Sequence, residues 1–302
     1  MGGWLRLGFG PLRPNFVVRA TALVGVSIVL ASCSLAEAPL LHPSGPIAEA
    51  QRNLLFEVFA LMLIVVIPVF IMAIWFGWRY RASATQSAFD PDWERAPFLD
   101  GLIWALPAAI IVILGFMVWR STHQLDPYRS LAAAGDSTQV QIITLEWKYV
   151  FLYPKEGIAS VNELVFPADK PVQLVMTSDS AMTSLLIPAL GGQVYAMAGM
   201  ATRLNLLAFG PGEFLGRNAL YNGDGFADQT FRVRAVTQAE FSDWIASAKQ
   251  APVLDAAAYK DLSQPGILRR PLQYSQFASG FFQSILDKYA TPLKMQQTPR
   301  HP

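Results

Sequence analysis

The sequence predicts a membrane-anchored all-β protein: a hairpin of two transmembrane helices, a β-sandwich or barrel, and a C-terminal helical arm. Three observations carry this reading. Residues 58–78 (VFALMLIVVIPVFIMAIWFGW) and 101–119 (GLIWALPAAIIVILGFMVW) are uncharged apolar runs, each long enough to cross ~30 Å of hydrocarbon as a helix. Between 174 and 231 short β-rich runs alternate with Gly, Pro and Asp, the rhythm of a small all-β domain. From Thr237 onward the apolar period becomes helical.

Composition bounds the function classes. With 302 residues and 53% hydrophobic content, the chain is too apolar for an ordinary soluble protein, yet long enough for a substantial domain outside the membrane. The net charge is +1 and Lys and Arg are scattered. No basic stripe is present, so nucleic acid is set aside as a partner. Cys33 is the single cysteine, which excludes an intramolecular disulfide and a cysteine metal cluster. The histidines are His42, His123 and His301, none near another, and no Cys or His lies between Asp126 and Arg300.

In order along the chain, residues 1–19 carry Arg6, Arg13 and Arg19 and no acid, and residues 21–30 (TALVGVSIVL) are apolar but about half a span long. Leu30-Ala31-Ser32-Cys33 follows. A basic start, a short apolar core and small residues mark residues 1–32 as a secretory signal peptide. The ending resembles a bacterial lipobox, in which Cys33 is acylated and tethered at the outer membrane face; the plain alternative is a lone buried thiol. Residues 33–53 then form a periplasmic segment and 54–120 the hairpin. Trp75, Trp78, Arg79 and Arg81 close the first span, and Trp119 and Arg120 the second, as interfacial aromatics and cations do. Placing Cys33 outside sends the first span inward, so the loop 79–100 is cytoplasmic. Its Arg79, Arg81 and Arg95 agree, whereas Arg52 and Arg120 on the far side weaken the charge argument. Everything after Arg120 is then periplasmic.

Residues 121–137 (STHQLDPYRSLAAAGDS) read as a polar linker. The β-domain spans 138–236, with strands expected at 140–145, 148–152, 161–166, 172–177, 202–208 and 231–236, separated by turn signals at 153–157, 167–169 and 209–212. Short strands with frequent turns fit a sandwich. Thr237 and Glu240 form a capping-box pattern ahead of a helix presenting Phe241, Trp244 and Ile245 on one face. Further short helices are expected near 254–262 and 277–289, making 237–290 a helical arm. The polar tail 291–302 is expected to be disordered.

With these elements placed, residues from about Cys33 to Tyr289 resemble subunit II of the bacterial cytochrome bo-type ubiquinol oxidases, in the haem-copper oxidase superfamily. The resemblance is carried by Trp78-Arg79-Tyr80-Arg81-Ala82-Ser83, Trp119-Arg120-Ser121-Thr122-His123, Leu145-Glu146-Trp147-Lys148-Tyr149 with Tyr153-Pro154, Ser184 to Pro188, and Gln193-Val194-Tyr195-Ala196-Met197-Ala198-Gly199-Met200 with Thr202-Arg203-Leu204. It implies a cupredoxin-like sandwich. It further implies a supporting subunit of a proton-pumping quinol oxidase, two-pass in the bacterial inner membrane. Subunits III and IV complete the complex, and the haem, the copper and the oxidation of ubiquinol belong to subunit I.

The related cytochrome c oxidase subunit II holds two copper ions through an early His and a later Cys-x-Glu-x-Cys-x-x-x-His-x-x-Met loop. Laid on that pattern, the early His falls at Thr183 and the loop at Asn218, Leu220, Asn222, Phe226 and Gln229. Amides, a hydroxyl and apolar groups replace thiolates, imidazoles and a thioether, so no bound cofactor is expected in this chain. Electrons would come from quinol within the membrane.

The resemblance also places Asp100, at the predicted cytoplasmic mouth of the second span, near the entrance of a proton path in subunit I. The simpler role is an acid at a helix N-terminus. Glu57 reads as an interfacial acid and His123 as an interface residue, a lone imidazole being no metal site. Trp147 reads as core packing, the alternative from the resemblance being a family aromatic near the electron-entry surface, and Met182, Met197 and Met200 read as core or interface. Two other functions stay open: a stand-alone membrane-tethered binding or assembly lipoprotein with a degenerate cupredoxin domain, and a cytochrome c oxidase subunit binding copper unconventionally.

Overall fold

A computed structural model describes residues 38–81, 83, 96–129, 131, 137–168 and 170–289. The leader, Cys33, most of the 82–95 loop and the 290–302 tail lie outside the described residues. The expected class holds: two long helices, a two-sheet β-sandwich and a helical arm.

Helices α1 (Pro46–Arg79) and α2 (Pro97–Gln124) both start at a proline, where the missing N–H is no loss. They bury almost nothing, Ala48 alone on α1 and Ile110 alone on α2. A core helix of a soluble protein would bury its apolar side, so this much bare apolar surface needs lipid or a partner protein. At 1.5 Å per residue α1 is about 50 Å long, more than the hydrocarbon needs. The surplus stands on the sandwich: Ser44 N–H donates to Ala189 O (2.7 Å), Phe209 N–H donates to Ser44 O (2.8 Å), and Ile47 packs on the core. Gly191 (φ +81°) passes against Ala48, where an added Cβ would lie 2.7 Å from the Ala48 nitrogen. The chain leaving α2 is held too, Asn205 donating from its backbone and its side chain to Pro127 O (3.2 and 3.0 Å).

The sandwich comprises β1 (Thr138–Leu145), β2 (Lys148–Tyr153), β3 (Ile158–Val161), β4 (Glu163–Pro167), β5 (Val172–Ser178), β6 (Thr183–Leu186), β7 (Gln193–Ala196), β8 (Thr202–Leu206), β9 (Gly212–Arg217), β10 (Thr230–Val236) and β11 (Leu272–Tyr274). Six strands form one sheet in the order β11-β3-β2-β1-β5-β8, and five form the other, β4-β10-β9-β6-β7. The β1–β5 and β4–β10 pairs are parallel and the rest antiparallel.

Residues 161–166, expected as one strand, are two. The chain changes sheets at Asn162, whose φ is +56°; asparagine tolerates this left-handed conformation. Its side chain fixes the corner, accepting from Tyr149 N–H (2.9 Å) and donating to Leu268 O (3.0 Å). Between the sheets lies the main core, with Tyr149, Phe151 and Phe231 in ring contact at 4.7–6.3 Å.

The first helix of the arm closes the core between the sheets, and the rest of the arm covers the outer face of the six-stranded sheet. Helix α3 (Gln238–Ala248) has the expected capping box at Thr237 and Glu240 and sets Trp244 edge-on to Tyr153, 5.1 Å between centroids. Helices α4 (Ala256–Leu262) and α5 (Phe281–Tyr289) bury Leu262, Phe282 and Ile285 against Ile143, Leu145, Val150 and Leu152. Both faces of the sheet are therefore covered, and every residue of β2 is buried. Lys148 points into this seam and donates to Gln264 O (2.6 Å) and Leu262 O (3.1 Å), while burial lowers its pKa. Asp179 ties α5 down: its carboxylate, 3% exposed, accepts from Lys288 (2.7 Å) and from the Tyr259 hydroxyl (2.8 Å).

Candidate functional site

Strand β9 lies between β6 and β10 in its sheet. One end of that trio therefore gathers Thr183 and Ser184 of β6, the 218–229 loop after β9, and Gln229 just before β10. The polar members meet. Asn218 Oδ1 accepts from Ser184 N–H (3.0 Å), Ser184 Oγ (3.1 Å) and Leu220 N–H (2.9 Å). Its Nδ2 donates to Leu220 O (2.7 Å) and Gln229 Oε1 (2.9 Å). Gln229 Oε1 also accepts from Asn222 Nδ2 (2.9 Å), and Asn222 Nδ2 lies 3.3 Å from Thr183 Oγ1. Thr183 and Gln229 are wholly buried and Asn218 nearly so.

Two of the six aligned positions do not join by their side chains. Leu220 contributes only its backbone. Phe226, on a short 3-10 turn, packs edge-on against Tyr221 with centroids 5.7 Å apart. Ser184 is a member that sequence reasoning missed. It bridges β6 to the loop, its Oγ also accepting from Ala219 N–H (2.7 Å), and nothing in a Thr-Ser pair marks one serine as the bridging one. Tyr149 closes the cluster from the core side, donating to Ser184 O (2.6 Å), its phenol pKa pushed up by burial.

Beside the loop, Trp147 sits at φ +62° in the β1–β2 hairpin, a conformation that costs a bulky residue on the order of 1–3 kcal/mol. Its ring lies against Gly223 and Gly225, where a Cβ on Gly225 would collide with the indole. The glycines let the loop close on the tryptophan. Trp147 Nε1, Asn222 Oδ1 and Thr144 Oγ1 are buried without a protein partner among the described residues.

The donor set decides what this site can hold. Amide and hydroxyl oxygens are hard ligands, here mostly engaged with N–H and O–H donors, and amide nitrogens offer no lone pair to a metal. A copper centre needs thiolate, imidazole or thioether groups, and the sequence offers no Cys or His there. Copper does not fit. The arrangement ties three segments together through neutral amides and hydroxyls.

Elsewhere, Asp100 lies in the first turn of α2, its backbone N–H donating to Ala96 O (2.8 Å). Glu57 and Arg120 line a cleft between α1 and α2. His123 Nδ1 is 2.8 Å from Trp119 O, with the two rings 4.5 Å apart. Met182 and Met200 are exposed and Met197 is half-buried, so none of the three belongs to the core. Cys33 lies outside the described residues.

No family model matches the chain. Among curated proteins, cytochrome bo(3) ubiquinol oxidase subunit 2 of Pseudomonas putida is 45% identical over 251 residues, covering 83% of this chain and 80% of the relative. Ubiquinol oxidase subunit 2 of Acetobacter aceti is 37% identical over 293 residues, 95% of this chain and 94% of that one. Quinol oxidase subunit 2 of Bacillus subtilis is 35% identical over 260 residues, covering 85% and 79%. The periplasmic domain of subunit II of cytochrome oxidase from Bradyrhizobium japonicum, a solved structure, is 23% identical over 40% of this chain and 98% of that domain, at a TM-score of 0.37. The strand order, rather than this last likeness, carries the fold. With identity at this level running through hairpin, sandwich and arm together, the chain belongs to the subunit 2 family of the quinol oxidases.

Proposed function

We propose that this chain is the non-redox subunit of a terminal ubiquinol oxidase of the aerobic respiratory chain, a two-pass protein of the bacterial inner membrane. It supports a haem-copper subunit I, which oxidises quinol, reduces oxygen to water and pumps protons. The observation that carries this reading is the amide cluster. Where electrons from a water-soluble donor would need a soft-ligand metal, Thr183, Asn218, Asn222 and Gln229 bond to one another instead. Electrons must then reach the partner from within the bilayer, and the bare apolar faces of α1 and α2 are the surfaces by which this chain would pack on it.

Finer assignments extend the proposal. Cys33 is acylated and anchors the mature N-terminus at the periplasmic face, subunits III and IV complete the assembly, and the aligned positions are the vacated copper-ligand sites. Asp100 gathers protons from the cytoplasm at the mouth of α2; its place in an exposed first helical turn is compatible with this role. The test is purification of the tagged chain from detergent-solubilised membranes. Haem absorbance in stoichiometric amount, quinol-dependent oxygen uptake and an intact mass carrying acyl chains are expected. A chain that copurifies with no haem protein would instead be a stand-alone lipoprotein. Asp100→Asn should slow turnover per haem several-fold without haem loss, less than the ~10²–10⁴ of an acid or base acting at the reacting atoms themselves. Unchanged turnover would leave Asp100 only its helix-end role.

A further inference from the structure

A cleft of about 290 Å³ opens between α1 and α2 at the sandwich end of the hairpin, lined among others by Asn53, Glu57, Arg120 and Gln124. Glu57 is the residue immediately before the apolar run of α1, and Arg120 the residue immediately after that of α2. Both charges therefore stand at one depth, the plane where hydrocarbon gives way to headgroups. Along the membrane normal the lining is graded. Phe116 and Met117, on the bilayer side of that plane, supply apolar wall, whereas on the other side Asn53, Ser121 and Gln124 supply amides and a hydroxyl, interleaved with Ala50, Leu54 and Leu125. Neither Glu57 nor Arg120 has a side-chain hydrogen bond or ion pair among the described residues. An acid and a guanidinium that line one cleft without closing on each other offer two separate charges to a ligand.

We infer that this cleft binds the headgroup of a zwitterionic bilayer phospholipid of the ethanolamine type. The Arg120 guanidinium takes the phosphate by charge-assisted hydrogen bonds, the geometry at which arginine excels. Glu57 accepts from the primary ammonium, and the acyl chains run down the apolar wall of Phe116 and Met117. The volume lies at the lower edge of the ~300–1,000 Å³ of small-molecule sites, which suits a headgroup whose chains remain in the bilayer. An anionic glycerol headgroup would satisfy Arg120 but leave Glu57 facing a like-charged ligand. A choline headgroup carries the positive charge but has no N–H to donate.

The experiment is native mass spectrometry of the full chain as purified from solubilised membranes, with whatever subunits accompany it. After delipidation, phosphatidylethanolamine, phosphatidylcholine or phosphatidylglycerol is added back. On the unmutated protein the ethanolamine lipid is expected to bind about tenfold more tightly than the other two, the worth of one charge-assisted hydrogen bond. Glu57→Gln and Arg120→Gln should each abolish that preference, and Arg120→Gln should also lower phosphatidylglycerol binding. Equal binding of the three lipids to the unmutated protein overturns the assignment. So does retention that neither substitution changes, or a structure of the complex in which a partner's side chain fills the cleft.

Discussion

Replacing Asn218 by alanine separates structural support from chemistry at the amide cluster. The change removes the acceptor of Ser184 N–H, Ser184 Oγ and Leu220 N–H, and the donor to Leu220 O and Gln229 Oε1. The damage is uneven. Gln229 Oε1 keeps its bond from Asn222, and Leu220 is only half-buried, so water can reach its backbone. Ser184 is wholly buried, and its N–H is left without an acceptor. One orphaned buried donor costs about 1–3 kcal/mol and the remaining losses about 1 kcal/mol together, a total near 2–4 kcal/mol. For a domain of this size that lowers the midpoint of thermal unfolding by roughly 5–15 °C. The assay is thermal unfolding of the purified complex followed by tryptophan fluorescence, with haem absorbance recording the partner separately. Below the transition, quinol-dependent oxygen uptake per haem should match the unmutated complex, because no electron crosses this cluster. Reduced uptake per haem with an unmoved unfolding midpoint would refute the reasoning and assign the cluster a chemical role.

Other perturbations read other parts of the scaffold. Asp179→Ala removes the shared acceptor of Tyr259 and Lys288; since Lys288 is 54% exposed, a loss of roughly 2 kcal/mol is expected, seen as faster amide exchange in α5. The pH dependence has a definite sign. The hydrogen bond to Asp179 raises the pKa of Lys288, and burial followed by the Asp179 bond raises that of Tyr259, so the folded state holds both protons more tightly than the unfolded state. That stabilisation is complete below their ordinary values near ~10 and is lost as pH rises past them. The unfolding midpoint should therefore fall above about pH 10, and fall less steeply in Asp179→Ala. Gly191→Val meets both a left-handed backbone and the Ala48 nitrogen 2.7 Å away. It should cost about 2–4 kcal/mol and lower the yield of assembled complex while circular dichroism still reports a folded sheet.

The sequence reported most clearly where one physical signal dominated. The spans follow from length and apolarity, and the cap of α3 from Thr237 and Glu240, whose reciprocal bonds the structure contains. The strands that escaped notice had their signal cancelled by surroundings. In β9 the alternation is interrupted by Gly212 and Gly216, the second placed where Phe231 packs across it. Strand β6 has four residues and draws its burial from the loop folded over it. Strand β11 has three and exists because β3 offers it an edge. The break at Asn162 was invisible because Val161 before it and Leu164-Val165-Phe166 just after it read as one β-prone run; the left-handed backbone that turns the corner is a tertiary demand. At the candidate site, the absence of Cys and His was legible from composition alone. That four of the six aligned positions bond to one another was not, since it depends on the ends of three strands meeting in space.

That convergence shows how neutral side chains alone can fix a loop that gathers several strand ends. A bound ion holds a loop by coordinating residues from several strands at once, and losing it would ordinarily free the loop and strip the strand ends of partners. Here Asn218 alone joins β6, its own loop and the approach to β10, and Tyr149 adds a bond from the core. The connection is made with neutral groups, so no buried charge has to be offset. It is also insensitive to redox state and to pH across the physiological range, because amides and hydroxyls do not titrate there. Helix α1 continues without a break from its seat on the sandwich, beside Ala189, Gly191 and Phe209, into its apolar run. A subunit whose work is to hold its neighbour in place needs that continuity more than it needs an electron relay.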